Sequence, residues 1–367
     1  MNKIIVKEDE YFTSDLVTKE EWLEILSDDS LMSNNYKYAL SIFYLEPEHR
    51  SSCKHLGKKY NIHYNSINSY IMNFSKAVQK KLNRFELIHN GGNAQYWPIT
   101  MKGRNIDGGL FEWQLREELI DAMLDLDYVN ASAITIKNLK NLIDLVNKDV
   151  GDFKKTFAKA RKALVNNLKN SPNSTVLFYY KKEDRDWSIN YGGSDEIQYH
   201  LYLRANKVGF GLGVNTQSMR SEIPALESAK PYLKALISLK DSDYLNKLIN
   251  QGFVWENEIS SAKDIRPDNY YLLEKIISLR NNKISLIDYY TIINNLKGDL
   301  FEAYKKIFSL ANEISNDGKP NKQDIDMILT NPLMQEVGEL LLANINLVLT
   351  GAPGTGKTYL AKQLAES

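Results

Sequence analysis

Cysteine is almost absent from this chain, and its scarcity excludes two kinds of site. Cys53 is the only cysteine among the 367 residues. An internal disulfide needs two thiols and a cysteine-cluster zinc site needs several, so neither can form. We interpret the single thiol as an ordinary helical residue without a reactive role.

Long apolar runs are also missing. No stretch approaches the roughly 18 consecutive apolar residues that indicate a membrane span. The charged N-terminal segment has no apolar signal-peptide core. Because 43% of the residues are hydrophobic and 25% are charged, the composition is that of an ordinary globular protein. We therefore expect a cytoplasmic protein that has no membrane partner.

The net charge is zero, but the two signs are segregated along the chain. Residues 1–48 contain eleven acids and four lysines, whereas residues 50–84 contain eight basic residues and no acid. The basic stretch has two helical patterns joined by a short turn within residues 51–82, which predicts a helix-turn-helix arrangement. A basic patch of this kind attracts phosphate backbones, so we predict contact with DNA. The alternative is a basic hairpin that contacts only protein, such as the acidic segment of its own chain.

The predicted nucleic-acid contacts are cations for phosphates and short polar side chains for base edges. They are Lys54, Lys58, Lys59, Asn65, Ser66, Asn68, Ser69, Lys76, Lys80, Lys81 and Arg84.

The rest of the first 130 residues shows weaker patterns. Capping-box spacing at residues 18–21 predicts a helix start, and residues 36–44 predict a second helix. We expect a short aromatic strand at 96–99. A periodic helix is expected at 111–124, with Arg116 on its exposed face.

The middle of the chain changes from helical to strand periodicity. Helices are expected at residues 136–150 and 152–168, and a further helix at 232–248. Four strand patterns lie between them, the last two joined by a tight hairpin at Asn206, and they predict an antiparallel sheet with helices on one side. Its aromatic residues alternate with cations, which suits either a stacked base or ordinary strand core. His200 is interpreted as structural rather than as a metal ligand.

Helical patterns return towards the C-terminal end. Residues 268–311 are expected to be helical, with a break at 297–299, and residues 316–321 have the composition of a linker. A final helical pattern covers residues 324–344.

A nucleotide-binding motif lies near the end of the chain, between a strand pattern (346–350) and a helical pattern (357–365). In such a loop the glycines let backbone N–H groups turn towards phosphates, and the helix N-terminus favours their charge. Lys357 is expected to hold the β- and γ-phosphates of ATP or GTP, and the Thr358 hydroxyl to contact Mg²⁺. The predicted nucleotide contacts are Gly351, Ala352, Pro353, Gly354, Thr355, Gly356, Lys357, Thr358 and Tyr359.

Hydrolysis needs more than this loop. A Walker B acid, a water-positioning group and an arginine finger are usual, and the nine residues after Thr358 cannot supply them. We therefore predict no catalytic residues here and expect the segment to be the beginning of a larger NTPase.

The ending, NINLVLTGAPGTGKTYLAKQLAE, resembles the start of the AAA+ module in McrB-type proteins, the NTPase subunits of modification-dependent (type IV) restriction systems. The upstream segment YWPITMKGRNIDGGLFEWQLREELIDAML is similar to a region of uncharacterised members of that group. The resemblance implies a DNA-recognition region fused to a ring-forming, homo-oligomeric motor that uses ATP or GTP. It also implies a target of modified DNA and a separate nuclease subunit.

Together these patterns predict a multi-domain α+β protein. A helical, helix-turn-helix-like DNA-binding domain is expected at 1–130, followed by an α+β sheet domain for target recognition at 133–260. A helical connector (261–315), a linker (316–330) and a truncated AAA+ P-loop segment (331–367) complete the division. The alternative function is a MoxR- or dynein-like regulatory ATPase whose front domains bind protein partners.

Overall fold

The structure is a computed structural model that describes residues 4–7, 10–13, 16–85, 88–90, 93–106, 108–164, 175–180, 187–189, 196–216, 223–257, 266 and 269–316. Helices and antiparallel sheets alternate along these residues, which confirms the α+β class. The chain divides into two compact units, Met1–Phe308 and Ser309–Ser367. Of the second unit, only residues 309–316 are described, and they are helical.

The first part of the chain contains short strands interrupted by helices. In chain order these elements are β1 (Ile4–Lys7), β2 (Glu10–Thr13), α1 (Lys19–Ser27), α2 (Asn34–Tyr44), β3 (Arg50–Ser52), α3 (Cys53–Lys59), α4 (Tyr64–Leu82), β4 (Ile88–Asn90), β5 (Asn93–Gln95), β6 (Met101–Ile106), β7 (Leu110–Leu115), α5 (Glu117–Asp125) and α6 (Tyr128–Ala131).

Local signals in the sequence explain several of these boundaries. The predicted capping box is present at α1, where the Thr18 hydroxyl accepts from the backbone N–H of Glu21 and the Glu21 carboxylate accepts from that of Thr18. Ser33 caps α2 by accepting from the N–H of Tyr36. Each cap satisfies a donor that the first helical turn leaves unpaired. Both predicted helices are thereby confirmed.

The first sheet has the strand order β1-β2-β6-β7-β3. Strand β7 pairs with β6 through six residue pairs and with β3 through three. In the chain, β3 comes before α3 and α4, and the β6–β7 hairpin comes after them. Strand β3 pairs with β7, the second strand of that hairpin. This sheet backs the helices, since Phe43 of α2 lies 6.3 Å from Trp113 of β7 between ring centroids.

Two predictions in this region are wrong. Residues 97–99 form a 3₁₀ turn rather than an aromatic strand, and the helix expected at 111–124 is strand β7 followed by α5. Arg116, at the junction, is buried rather than exposed, and its guanidinium donates to the Pro98 carbonyl at 3.0 and 2.8 Å. Pairing with β6 and β3 overrides the local helical pattern, because it gives hydrogen-bond partners to the backbone N–H and C=O groups of residues 110–115.

The later part of the chain contains a second sheet with helices around it. Its elements are β8 (Ile134–Thr135), α7 (Leu139–Asp149), α8 (Phe153–Leu164), β9 (Trp187–Ile189), β10 (Gln198–Arg204), β11 (Lys207–Asn215), α9 (Ile223–Ser238), α10 (Asp243–Asn250), β12 (Val254–Glu256), β13 (Tyr270–Ser278), β14 (Lys283–Ile284), α11 (Leu286–Lys297) and α12 (Asp299–Asn316).

The second sheet has the order β12-β13-β11-β10-β9. The hairpin predicted at Asn206 is confirmed: β10 and β11 pair directly. Its two turn residues, Ala205 and Asn206, have φ values of 43° and 61°. Two consecutive positive φ values match the strand twist, as in type I′ hairpins.

The segment expected to be helical at 268–311 is only partly so. Residues 270–278 form strand β13, which pairs with both β11 and β12, so this part of the predicted helical connector belongs to the sheet. The break is confirmed, since α11 ends at Lys297 and α12 begins at Asp299. The helix expected at 232–248 is divided between α9 and α10.

Side chains from the first and later parts pack together within Met1–Phe308. The rings of Tyr38 and Tyr290 are stacked, with centroids 4.1 Å apart. Asn294 Nδ2 donates to the Tyr60 carbonyl at 3.0 Å. These contacts join ranges for which the sequence patterns predict different domains.

His200 lies in the interior of the second sheet and is fully buried. Burial lowers the pKa of the imidazole to about 3, and a ring nitrogen shares a hydrogen bond with the Tyr270 hydroxyl. This placement supports the structural interpretation of the residue. Its ring stays neutral in the folded protein, while it is protonated below an ordinary pKa of 6.5 in the unfolded chain.

We therefore expect His200 to make unfolding pH-dependent. A depressed pKa stabilises the fold above 6.5, and that stability is lost as the pH falls from 6.5 towards 3, by at most about 1.4 kcal/mol for each pH unit. The measurement is the free energy of unfolding by urea against pH, in wild type and in His200→Gln. The free energy of unfolding should change less steeply with pH in the variant than in the wild type. Equal slopes would contradict the expectation.

Candidate nucleic-acid interface

The predicted helix-turn-helix pattern corresponds to α3 and α4, joined by a tight turn. The N–H of Ile62 donates to the Gly57 carbonyl at 3.0 Å. A Cβ on Gly57 would lie 2.7 Å from the Ile62 carbonyl oxygen, so only glycine permits the turn to pass this close to α3. Asn61, in the turn, has a φ of 50°, which asparagine tolerates better than most residues.

The inner face of α4 fixes which side chains point outwards. Ile67, Ile71, Phe74 and Val78 are fully buried at helical spacing. Phe74 lies 6.0 Å from Trp22 of α1 between ring centroids. Because this apolar stripe is held against α1 and α2, the opposite face of α4 is presented to solvent.

Ten of the eleven predicted DNA contacts are exposed, and seven of these lie outside the ion pairs described below: Lys54, Lys58, Asn65, Asn68, Ser69, Lys76 and Lys80. Within the described residues, none of the four lysines among them forms an ion pair. Lys76 lies over the Tyr96 ring, with Nζ 5.9 Å from its centroid. Ser66 is half-buried. The exposed lysines therefore keep their charge available for an anionic partner.

The other three predicted cations are already paired with acids from the N-terminal segment. Lys59 Nζ lies 2.6 Å from Glu46 Oε1, and Lys81 Nζ lies 2.8 Å from Asp28 Oδ2. Arg84 Nη2 donates to Glu21 Oε2 at 2.7 Å. The basic region is thus partly neutralised by residues 1–48, the acidic segment predicted above as its alternative partner.

Two of these pairs, those of Arg84 and Lys81, are intact at neutral pH. Hydrogen bonding from Arg84 lowers the pKa of Glu21 from 4.5 to about 2, and that from Lys81 lowers the pKa of Asp28 from 3.8 to about 2. Both carboxylates therefore stay ionised until the pH falls towards 2. Acid is needed to release Lys81 and Arg84.

One exposed residue of this face was not among the predicted contacts. Asn73 lies one turn beyond Ser69 on α4, and both side chains are exposed. The signal was available, since the two residues have i, i+4 spacing and share a helix face.

The middle sheet gives little support for base stacking. Phe178, Tyr199 and Phe210 are buried in the core. Tyr202 is half-buried, with the Arg204 guanidinium 5.1 Å from its ring centroid. The interpretation of these aromatics as strand core is therefore the better one. Tyr191 and the Trp187 side chain lie outside the described residues.

The nucleotide-binding motif at 351–358, Tyr359, the linker at 316–330 and the helical pattern at 324–344 lie beyond residue 316, outside the part of the chain that the structure describes. Thr358 and its expected Mg²⁺ contact lie there too. Within the described part, no group of three or more His, Cys, Asp or Glu is placed to hold a metal ion. Burial raises the pKa of the Cys53 thiol to about 12, so it stays protonated at neutral pH.

Known proteins offer no direct guide. Comparisons with protein families, with curated proteins and with solved structures find no match to this chain. Among the described helices, none combines the length and apolar character that a membrane crossing requires.

Proposed function

We propose that this protein binds duplex DNA through α3 and α4 and couples that binding to a nucleoside triphosphate held at residues 351–358. The observation that carries the DNA part is the exposed face of these two helices. It presents Lys54, Lys58, Lys76 and Lys80, which form no ion pair within the described residues, and neither helix contains an acid. Such a face attracts phosphates while polar side chains reach the bases.

The order of elements supports the same proposal. A helix-turn-helix places its second helix in the major groove. Here α3 and α4 are followed by the β6–β7 hairpin, and β3, just before α3, pairs with β7. With the short β4–β5 pair between α4 and the hairpin, this order of helix, strand, helix, helix and hairpin is similar to that of a winged helix. Fold alone does not establish function, so the charged face remains the main support.

The nucleotide part is supported by the sequence. Gly351, Gly356, Lys357 and Thr358 have P-loop spacing between a strand pattern and a helical pattern. The bound nucleotide is proposed to be ATP or GTP with Mg²⁺.

The resemblance to McrB-type proteins supplies a setting for these two activities. We propose that the protein contributes to defence against modified foreign DNA as the motor subunit of a restriction system. In that setting a homo-oligomeric ring would form and a separate nuclease subunit would cut.

The DNA part is tested by measuring the affinity of the full chain for a random-sequence duplex over a range of salt concentrations. Each neutralised phosphate contributes about 0.9 to the slope of log K against log salt, so four lysines predict a slope of about −3 to −4. If the protein does not bind the duplex at low salt, or if its affinity does not change with salt concentration, the proposal is wrong.

A second candidate is favoured by the three ion pairs with Glu21, Asp28 and Glu46. They show that acidic protein surface complements part of the basic region, as expected for a regulatory ATPase whose front domains bind proteins. Deleting residues 1–48 would not test this, because Trp22, Tyr38 and Phe43 are fully buried and the deletion would remove core.

Charge-neutral substitutions separate the two candidates. The triple variant Glu21→Gln, Asp28→Asn, Glu46→Gln releases Arg84, Lys81 and Lys59 while keeping side-chain shape. The pairs of Glu21 and Asp28 are partly exposed and contribute little to stability, and Glu46→Gln keeps an acceptor oxygen at the buried position, so the fold should persist. If the protein binds DNA, duplex affinity should rise and the salt slope should steepen by up to about 3. If it is a protein-binding regulator, both wild type and variant should leave DNA unbound.

A further inference from the structure

The outer face of α4 carries an ordered polar stripe: Asn65, Ser69, Asn73, Lys76 and Lys80. All five side chains are exposed. At about 100° per residue they fall within an arc of about 80°. The stripe is therefore a single surface along the helix axis, directly opposite the buried apolar face.

The two ends of this polar stripe differ in chemistry. Its N-terminal part, from Asn65 to Asn73, carries amides and a hydroxyl, which both donate and accept hydrogen bonds. This part is about 12 Å long at 1.5 Å per residue, which matches three to four base-pair steps of about 3.4 Å. Its C-terminal part carries only Lys76 and Lys80.

The surroundings limit where positive charge is available. Lys54 and Lys58 are exposed on α3 at i, i+4 spacing. Lys81, in the last turn of α4, and Arg84, just after the helix, are bound by Asp28 and Glu21. On α3 and α4, which are both within the described residues, the cations that form no ion pair are thus Lys54, Lys58, Lys76 and Lys80.

We infer that α4 lies in the major groove of duplex DNA and that Asn65, Ser69 and Asn73 recognise adenine, an inference that rests on the DNA-binding function proposed above. A recognition helix contacts base edges with its N-terminal residues, so the amides face the bases and the lysines reach the backbone. Asparagine pairs bidentately with adenine N6 and N7, whereas arginine or lysine reads guanine and acids read cytosine. The N-terminal part of the polar stripe, which faces the bases, contains no arginine, lysine or acid.

Duplex DNA fits this surface better than a single strand does. Binding a single strand relies on exposed aromatic rings that stack on the bases. The polar stripe has no aromatic residue, and the major groove, which is about 12 Å wide, admits an α-helix.

The test uses the full chain and two duplexes of about 20 base pairs with the same alternating A·T sequence. In one of them every adenine is replaced by 7-deazaadenine, which lacks the N7 acceptor and keeps Watson–Crick pairing. Fluorescence anisotropy measures affinity at several salt concentrations. We expect the unmodified duplex to bind about 10-fold tighter, because a lost bidentate contact costs at least that order of discrimination.

Two variants separate base reading from phosphate binding. Asn65→Ala, Asn73→Ala should bind both duplexes equally and keep the wild-type salt slope. Lys76→Ala should keep the 10-fold preference, weaken binding to both duplexes alike and reduce the salt slope by about 1.

The binding data distinguish a failure of adenine recognition from a failure of DNA binding. A wild-type protein that binds both duplexes equally, or an asparagine variant that keeps the preference, overturns adenine recognition while DNA binding stands. No salt-dependent binding to either duplex overturns the proposed DNA-binding function and this inference together.

Discussion

Replacing Lys54, Lys58, Lys76 and Lys80 with alanine is expected to lower duplex affinity about 100-fold at low salt. These lysines are exposed, and within the described residues they have no acidic partner. Each that meets a phosphate releases a counterion, so the slope of log K against log salt should fall by about 3 to 4. The measurement is fluorescence anisotropy with one random-sequence duplex over a salt series.

The matched control removes the same charge elsewhere. Lys137, Lys159, Lys162 and Lys247 are also exposed and form no ion pair within the described ranges. Replacing these four lysines with alanine changes the net charge by the same amount. The comparison therefore separates the effect of position from the effect of total charge. Equal loss in both variants would mean that DNA responds only to overall charge, contrary to the interface on α3 and α4.

Lys357→Ala is expected to weaken nucleotide binding strongly. In a P-loop this lysine contacts the β- and γ-phosphates, and truncating one partner of a buried charged hydrogen bond costs about 2–5 kcal/mol. Affinity for ATP or GTP should therefore fall by at least about 30-fold. Isothermal titration calorimetry with each nucleotide and Mg²⁺ measures the change and identifies the preferred base.

Lys362→Ala serves as the control for this prediction. It removes a lysine from the same C-terminal helical pattern but lies outside the phosphate-binding spacing, so binding should be retained. Thr358→Ala should weaken binding in Mg²⁺ more than in its absence, since its hydroxyl is the expected metal contact. Unchanged affinity in Lys357→Ala would mean that the motif does not bind nucleotide.

Local patterns predicted the elements whose signals are contained in a few residues. The capping box at Thr18, the helices α3 and α4 and the hairpin at Asn206 were all predicted, because caps, 3.6-residue periodicity and turn residues act over short distances. These signals also indicated the basic face of α4. They missed Asn73, although its spacing from Ser69 was available.

Predictions failed where distant strands compete for the same residues. Residues 110–115 and 270–278 have patterns compatible with a helix, yet each became a strand bounded on both sides by partners from elsewhere in the chain. Such pairing depends on strands that are far away in sequence, so a local window does not reveal it. The same reason explains why Arg116 is buried.

The sequence by itself determined the acid-free basic stretch, the two helices that carry it and the P-loop spacing near the C-terminal end. Only the tertiary structure decided which cations remain available to a partner. The acids that bind Lys59, Lys81 and Arg84 lie 13, 53 and 63 residues away. Packing of α1 and α2 beside α3 and α4 brings those charges together, and a count of charges along the chain contains no information about that packing.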